Sequence, residues 1–192
     1  MSGDGTDDRP VVLAVDDEPR VAQAFALWLG DDYEVFTATG GEEALELMDD
    51  GIDLVLLDRH MPGLSGDEVL QRIREAGYGC KVAMVTAVDP DFDIVELPFD
   101  DYVSKPVDGS SLADTVERLL AVRRYDDRMA ELYTTTRTIA ALESEKSPAS
   151  LEDSEEYAAL LDRRATLQGE LDELMASMDA DEVRELFELL DT

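Results

Sequence analysis

The sequence predicts an α/β fold, a five-stranded parallel sheet doubly wound by helices, followed by an all-α helical hairpin or coiled coil. Two patterns and one quantity carry that prediction. From Val11 to about Val107, short apolar runs alternate with amphipathic stretches, as strands and helices do around a parallel sheet. From Ser110 onward there is no strand-like run, and apolar residues recur at three-four spacing. The chain has 192 residues, 44% of them hydrophobic, enough to bury a core in one ordinary domain or in a small domain with an appendage.

The strands are read in order at Val11 to Val15, Tyr33 to Ala38, Asp53 to Asp58, Lys81 to Ala87 and Asp101 to Lys105. Their unbroken apolar character suits strands covered on both faces. Between them, Arg20 to Leu29, Glu42 to Met48 and Asp67 to Ala76 set apolar side chains at helical spacing, with charge on the remaining faces. Pro19, the Gly40-Gly41 pair and Ser65-Gly66-Asp67 are suitable starts for these helices. The segment Asp89 to Pro98 contains Pro90 and ends in Pro98, which leaves room for about two helical turns, so any helix there is short or irregular.

In the second half Val122, Tyr125, Met129, Leu132, Thr136 and Ile139 follow at spacings of 3, 4, 3, 4 and 3, a seam for another helix. Ser147 to Ser150 interrupts it. Tyr157, Leu160, Arg164, Leu167, Leu171, Leu174 and Met178 then form a second seam, so the two pack as an antiparallel hairpin within the chain or across a dimer. Val183, Leu186, Phe187 and Leu190 mark the apolar edge of a last short helix capped by Asp179 or Asp181. No Pro or Gly separates the helix of Leu112, Val116, Leu119 and Leu120 from the Val122 seam, which predicts one continuous helix.

Charge narrows the function classes. Sixteen basic residues stand against 47 acidic ones, a formal charge of -31 that repels nucleic-acid phosphates and anionic membrane surfaces. Residues 107–192 alone carry 9 basic and 22 acidic side chains, a balance of 9 - 22 = -13, and show no helix-turn-helix with a basic recognition helix. Direct DNA binding is therefore disfavoured. Lys81, Lys105 and Lys146 are the only lysines, and this Lys-poor, acid-rich composition is what a protein dissolved in concentrated salt carries. At molar salt the Debye length is roughly 3 Å, which screens the self-repulsion. The lone Cys80 excludes an internal disulfide, the N-terminal residues lack a signal-peptide pattern, and no apolar run could span a membrane. These features predict a soluble cytoplasmic protein.

The chemistry concentrates at strand ends. Asp16, Asp17 and Asp58 directly follow the apolar cores of the first and third strands, so a parallel sheet gathers them at its carboxyl edge, where such folds bind ligands. Converging carboxylates repel one another unless a hard divalent cation such as Mg2+ neutralises them. Solvated turn aspartates are the alternative for each taken singly. Thr86 and Lys105 close the fourth and fifth strands on the same edge. A hydroxyl and an ammonium beside a metal-bound carboxylate suit the oxygens of a phosphoryl group under attack by an aspartate.

At these residues the chain resembles the receiver domain of two-component response regulators, over roughly Val11 to Arg123. VVLAVDDEP is similar to the family's first strand and acidic pair, LVLLDRHMPGLSGDE to its phosphoacceptor segment, and VTA and DYVSKP to its Thr and Lys-Pro segments. The resemblance implies a flavodoxin-like fold and the role of phosphoacceptor for Asp58. It implies Mg2+ held directly by Asp17, Asp58 and the His60 backbone carbonyl, with Asp16 assisting. Thr86 and Lys105 would hold the phosphoryl oxygens, a cis Pro106 would project the lysine, and Tyr102 would be the aromatic switch residue. His60 and Val88 fall where the family tunes phosphoryl lifetime, and Val88 implies slow dephosphorylation. The interval from Thr86 to Lys105 spans 105 - 86 = 19 positions, shorter than the family's usual by roughly one helical turn, which puts the common receiver dimer in doubt.

The stretch from Arg124 to Thr192 resembles the HalX-type domain found behind receivers in halophilic archaea. The resulting division is an acidic, disordered tail at residues 1–9, a receiver at 10–123 and a helical output domain at 124–192. The implied function is that of a response regulator, phosphorylated by a sensor histidine kinase and signalling through its helices toward transcription, with self-phosphorylation and self-dephosphorylation as its only chemistry. Expected partners are the kinase, a protein that receives the output, and a second copy through receiver or helices. Two other classes are a helical adaptor that uses the receiver as a dimerisation platform, and an aspartate-nucleophile phosphohydrolase. The latter normally has a second aspartate two residues after the nucleophile, where this chain has His60.

Overall fold

The computed structural model describes residues 9–87 and 97–177. Five strands, β1 (Val11–Val15), β2 (Glu34–Ala38), β3 (Leu54–Leu57), β4 (Lys81–Thr86) and β5 (Asp101–Ser104), form one sheet in the order β2-β1-β3-β4-β5. All neighbouring pairs are parallel. Helices α1 (Pro19–Leu29), α2 (Gly41–Leu47) and α3 (Gly66–Ala76) connect successive strands, and α4 (Gly109–Glu145) follows β5.

Strand alternation divides the core into two layers. Leu13, Val15, Val55, Leu57, Val82 and Met84 face one side, where Ala44 of α2 and Val69, Leu70 and Ile73 of α3 cover them. Val12, Ala14, Leu54, Leu56, Ala83 and Val85 face the other, against Phe25 and Leu29 of α1 and Leu112, Val116, Leu119 and Leu120 of α4. The sheet is thus doubly wound, as the apolar runs predict. Covering on both faces holds for β1, β3 and β4 but not for β2, which is mostly exposed. As an edge strand β2 has a neighbour on one side only, and its Phe36 remains 42% exposed.

Local chemistry sets the boundaries. Pro19 opens α1 at a position where a missing N–H costs nothing. Ser65 and Glu68 form a capping box at α3, and Gly77 ends that helix with φ 82°, a left-handed conformation suited to glycine. Asp108 caps α4, accepting the Ser111 N–H at 3.0 Å. The expectation for Asp89 to Pro98 falls largely, and those for Val88, Met178 and the Val183-to-Leu190 edge wholly, outside the described residues.

The chain divides into two compact units between Leu120 and Ala121. In the second unit the remainder of α4 meets α6 (Glu155–Ser177), after the short helix α5 (Pro148–Glu152). The pairing is antiparallel within the chain. Val122 and Tyr125 cluster with Leu171 and Met175, Arg128 Nε lies 2.7 Å from Glu170, Arg163 donates twice to Glu131 at 2.7 Å, and Tyr157 Oη donates to Glu143 at 2.7 Å. Partner numbers rise on one helix as they fall on the other.

Two details of the helical half differ from the sequence reading. The seam on α4 runs through Val122, Tyr125, Leu132, Thr135 and Ile139, whereas Met129 is 39% exposed and Thr136 is exposed. Arg128, half-buried and paired with Glu170, takes the level that alternating spacing assigns to Met129. An ion pair between helices tolerates a rim position, and it turns that level of the helix away from an all-apolar seam. The Ser147-to-Ser150 interruption is itself a helical turn, capped by the Ser147 side chain and opened by Pro148. No described helix is long and apolar enough to cross a membrane.

Candidate functional site

Parallel register brings the strand ends together. Val15 pairs with Leu57, Leu57 with Met84, and Thr86 with Ser104, so the next residues of β1, β3 and β5 leave the sheet at one edge. Backbone bonds continue each ladder one step further. Asp58 N–H donates to Val15 at 2.9 Å, Asp16 N–H to Ala38 at 3.1 Å, and Lys105 N–H to Thr86 at 2.8 Å.

Asp16, Asp17 and Asp58 each place a carboxylate oxygen within 4.8 Å of the others. Asp16 is 1% exposed and Asp58 8%, while Asp17 is more open. Lys105 Nζ donates to Asp16 Oδ2 at 2.5 Å and stands 3.5 Å from Asp58 Oδ1, tying the two buried carboxylates with one ammonium. The Lys105–Pro106 peptide bond is cis. Asp16 Oδ1 accepts the Glu18 N–H at 2.9 Å, which aligns the first loop. Thr86 is buried at the same edge. Three carboxylates against one ammonium leave surplus negative charge in a cluster of oxygen donors.

Each residue predicted for the site has a definite place. Asp16, Asp17, Asp58 and Lys105 converge, and Thr86 ends the adjoining strand. His60 lies two residues beyond Asp58, with its side chain exposed. Tyr102 is half-buried on β5, its ring 5.8 Å from that of Phe99 and packed on the Leu13 to Met84 layer of the core, outside the carboxylate cluster.

The structure also adds residues that sequence reasoning passed over. Arg59, 7% exposed, donates its backbone N–H to Asp58 Oδ1 at 2.9 Å, and its guanidinium binds Asp67 through Nε at 3.0 and 3.2 Å and Nη2 at 3.0 Å. A Cβ at Gly66 would lie 2.2 Å from the Asp58 carbonyl oxygen and 2.9 Å from Arg59 Cα. Only glycine lets the start of α3 approach this loop so closely. The signal was present as the glycine before Asp67, but the sequence suggests a helix start there and not a close approach.

A doubly wound five-stranded sheet with three clustered aspartates and a lysine at its carboxyl edge defines a class, the doubly wound α/β domains with an acidic site at that edge. The chain belongs to the response regulator receiver domain family, whose model matches residues 12–117, and the HalX domain matches residues 121–187. A Haloferax volcanii protein named "Putative transcriptional regulator" is 48% identical over 159 residues, covering 82% of this chain and 27% of its own length. The transcriptional regulatory protein DltR of Streptococcus agalactiae is 40% identical over 106 residues, 53% of this chain and 47% of that one. The chain therefore spans less than half the length of these relatives. Among solved structures, the response regulator protein TrrA of Thermotoga maritima in complex with Mg2+ and BeF aligns with a TM-score of 0.50 and 35% identity, over 57% of this chain and 98% of that one.

Proposed function

We propose that the chain is a response regulator that accepts a phosphoryl group on Asp58 from a phosphohistidine of a sensor histidine kinase and passes the signal to its helical half, toward transcriptional control through a protein partner. The observation that carries this reading is the cluster itself: three carboxylates within 4.8 Å, with Lys105 bridging Asp16 and Asp58. In the reaction a carboxylate oxygen of Asp58 attacks phosphorus. A P–O bond to Asp58 forms, the P–N bond to the kinase histidine breaks, and the departing imidazole nitrogen keeps the electron pair and takes a proton from solvent.

The donor set fits Mg2+, because hard oxygen ligands in surplus negative charge suit a cation that keeps part of its water shell. Asp17, Asp58 and the His60 backbone carbonyl would hold it, with Asp16 assisting. When bound, Mg2+ neutralises charge on the transferred oxygens. Lys105 offers an ammonium and Thr86 a hydroxyl to the remaining phosphoryl oxygens. Tyr102 is the proposed reporter of that occupancy, turning on the β5 face as Thr86 shifts.

The proposed division of labour gives residues 10–123 to the receiver and 124–192 to output, preceded by a tail at 1–9, in a cytoplasmic protein. Helix α4 supports the link, since its first turns belong to the α/β core and its remainder to the hairpin. Homodimerisation is part of the same reading. The acidity of the helical half argues for a protein partner over DNA.

The test is incubation with Mg2+ and acetyl phosphate in multimolar KCl, followed by intact-mass analysis of wild type and Asp58→Ala. The expected outcome is a phosphoryl adduct on wild type alone. A folded wild-type protein that gains no adduct overturns the reading.

A further inference from the structure

We infer that Arg59 and Asp67 form a clamp that positions Asp58 for phosphoryl transfer, so that Arg59 is a positioning residue for the reaction. The inference rests on the phosphoacceptor reading of Asp58 and extends it to a residue outside the carboxylate cluster.

The loop after β3 is held at both ends of one residue. On the backbone side, the Arg59 carbonyl accepts the Gly66 N–H at 2.9 Å, and the absence of a side chain at Gly66 lets α3 press against the Asp58 carbonyl. On the side-chain side, the Arg59 guanidinium is nearly buried and grips both carboxylate oxygens of Asp67 in the first turn of α3. A planar fork on a carboxylate fixes direction as well as distance, which a lysine would not. Asp67 also sits at the N-terminal end of α3, where a negative charge is stabilised.

The consequence falls on the adjoining atom. With its carbonyl and side chain both anchored, the Arg59 peptide has little freedom to rotate, and its N–H is aimed at Asp58 Oδ1 at 2.9 Å. Lys105 approaches the same oxygen at 3.5 Å. Among the described residues no hydrogen bond or ion pair is directed at Asp58 Oδ2. The clamp thereby holds one oxygen engaged and presents the other to an incoming phosphorus. Attack geometry is steep in position, and a displacement of about 1 Å can cost on the order of a hundredfold in rate.

The experiment measures phosphorylation by acetyl phosphate with Mg2+ in multimolar KCl, by intact mass over time, for wild type, R59Q, D67N, R59Q/D67N and the swapped pair R59D/D67R. Melting followed by circular dichroism reports folding of each. Expected are rates reduced roughly ten- to a hundredfold in each single variant, at an unchanged half-saturating acetyl phosphate concentration. The double variant should lose no more than the worse single one, and the swap should recover part of the rate. Single variants that phosphorylate at the wild-type rate overturn the clamp and leave the Asp58 reading intact. Losses that follow only loss of the melting transition, with no recovery in the swap, also overturn it. A wild-type chain that takes no phosphoryl group removes both.

Discussion

The α/β unit and the helical hairpin are built on different principles within one chain. In the sheet unit, β1, β3 and β4 are buried on both faces, and the side chains between them and the helices are almost wholly apolar. In the hairpin a narrow line of buried residues, Val122, Tyr125, Ile139, Leu167 and Leu171, is flanked by ion pairs at the rim, Arg128 with Glu170 and Arg163 with Glu131. The first is held mainly by area removed from water, and its charge pairs, such as Arg59 with Asp67 and Lys105 with Asp16, lie outside those apolar layers. In the second, charge pairs border the buried line itself, where salt and pH reach them.

The largest separation should come from cavities. Leu56→Ala, in the centre of the sheet, should destabilise the α/β unit by about 2–5 kcal/mol, and Leu167→Ala should affect the hairpin at the lower end of that range, because half-exposed neighbours can relax into the space. Hydrogen exchange on the full chain reads the two units separately. Equal losses in both would erase the distinction.

Next in size is Gly66→Ala, whose added Cβ meets the Asp58 carbonyl at 2.2 Å. We expect a cost of about 1–3 kcal/mol from the forced shift and a marked drop in acetyl-phosphate labelling, both confined to the sheet unit and visible by melting and intact mass.

A smaller effect distinguishes the hairpin by pH. The Arg163 guanidinium beside Glu131 holds that carboxyl below its ordinary value. A depressed carboxylate contributes stability that is present above its unfolded pKa and lost as pH falls through the lower folded one. Acid titration should therefore weaken the hairpin as pH falls below the ordinary carboxylate value, and molar KCl or Glu131→Gln should flatten the response, as followed by exchange in residues 125–171.

The smallest change is expected at the start of α4. Hydroxyls of Ser110 and Ser111 and the Ser111 amide draw the Asp108 carboxyl down to about 2. Its contribution is present above the ordinary carboxylate value and vanishes only as pH approaches that lower one. Asp108→Ala should fray the first turn of α4, read as faster exchange near Ser111, with the hairpin unchanged.

Much of the fold was legible because its signals are local. Each apolar run became a strand, and Pro19, Ser65 and the Gly66-Asp67 step marked helix starts through capping and sterics. Asp16, Asp17, Asp58, Thr86 and Lys105 were legible as a group because each ends an apolar run, and parallel strands send such ends to one edge. The seam on α4 was only partly legible. Counting apolar residues cannot see that Arg128 would find Glu170 on the returning helix and displace Met129 outward. The exposure of β2 was likewise invisible, since an edge position follows from strand order.

By itself the sequence determined which segments are strands and helices, which residues stand at the strand ends, and the charge that bears on partners. Those depend on propensity, periodicity and composition, all carried by neighbours along the chain. The tertiary structure alone decided the order β2-β1-β3-β4-β5, the sharing of Lys105 between Asp16 and Asp58, and the grip of Arg59 on Asp67 eight residues away. Hydrogen bonds and ion pairs act over a few ångströms and in narrow directions, so their partners are chosen only when packing has fixed where each backbone turns.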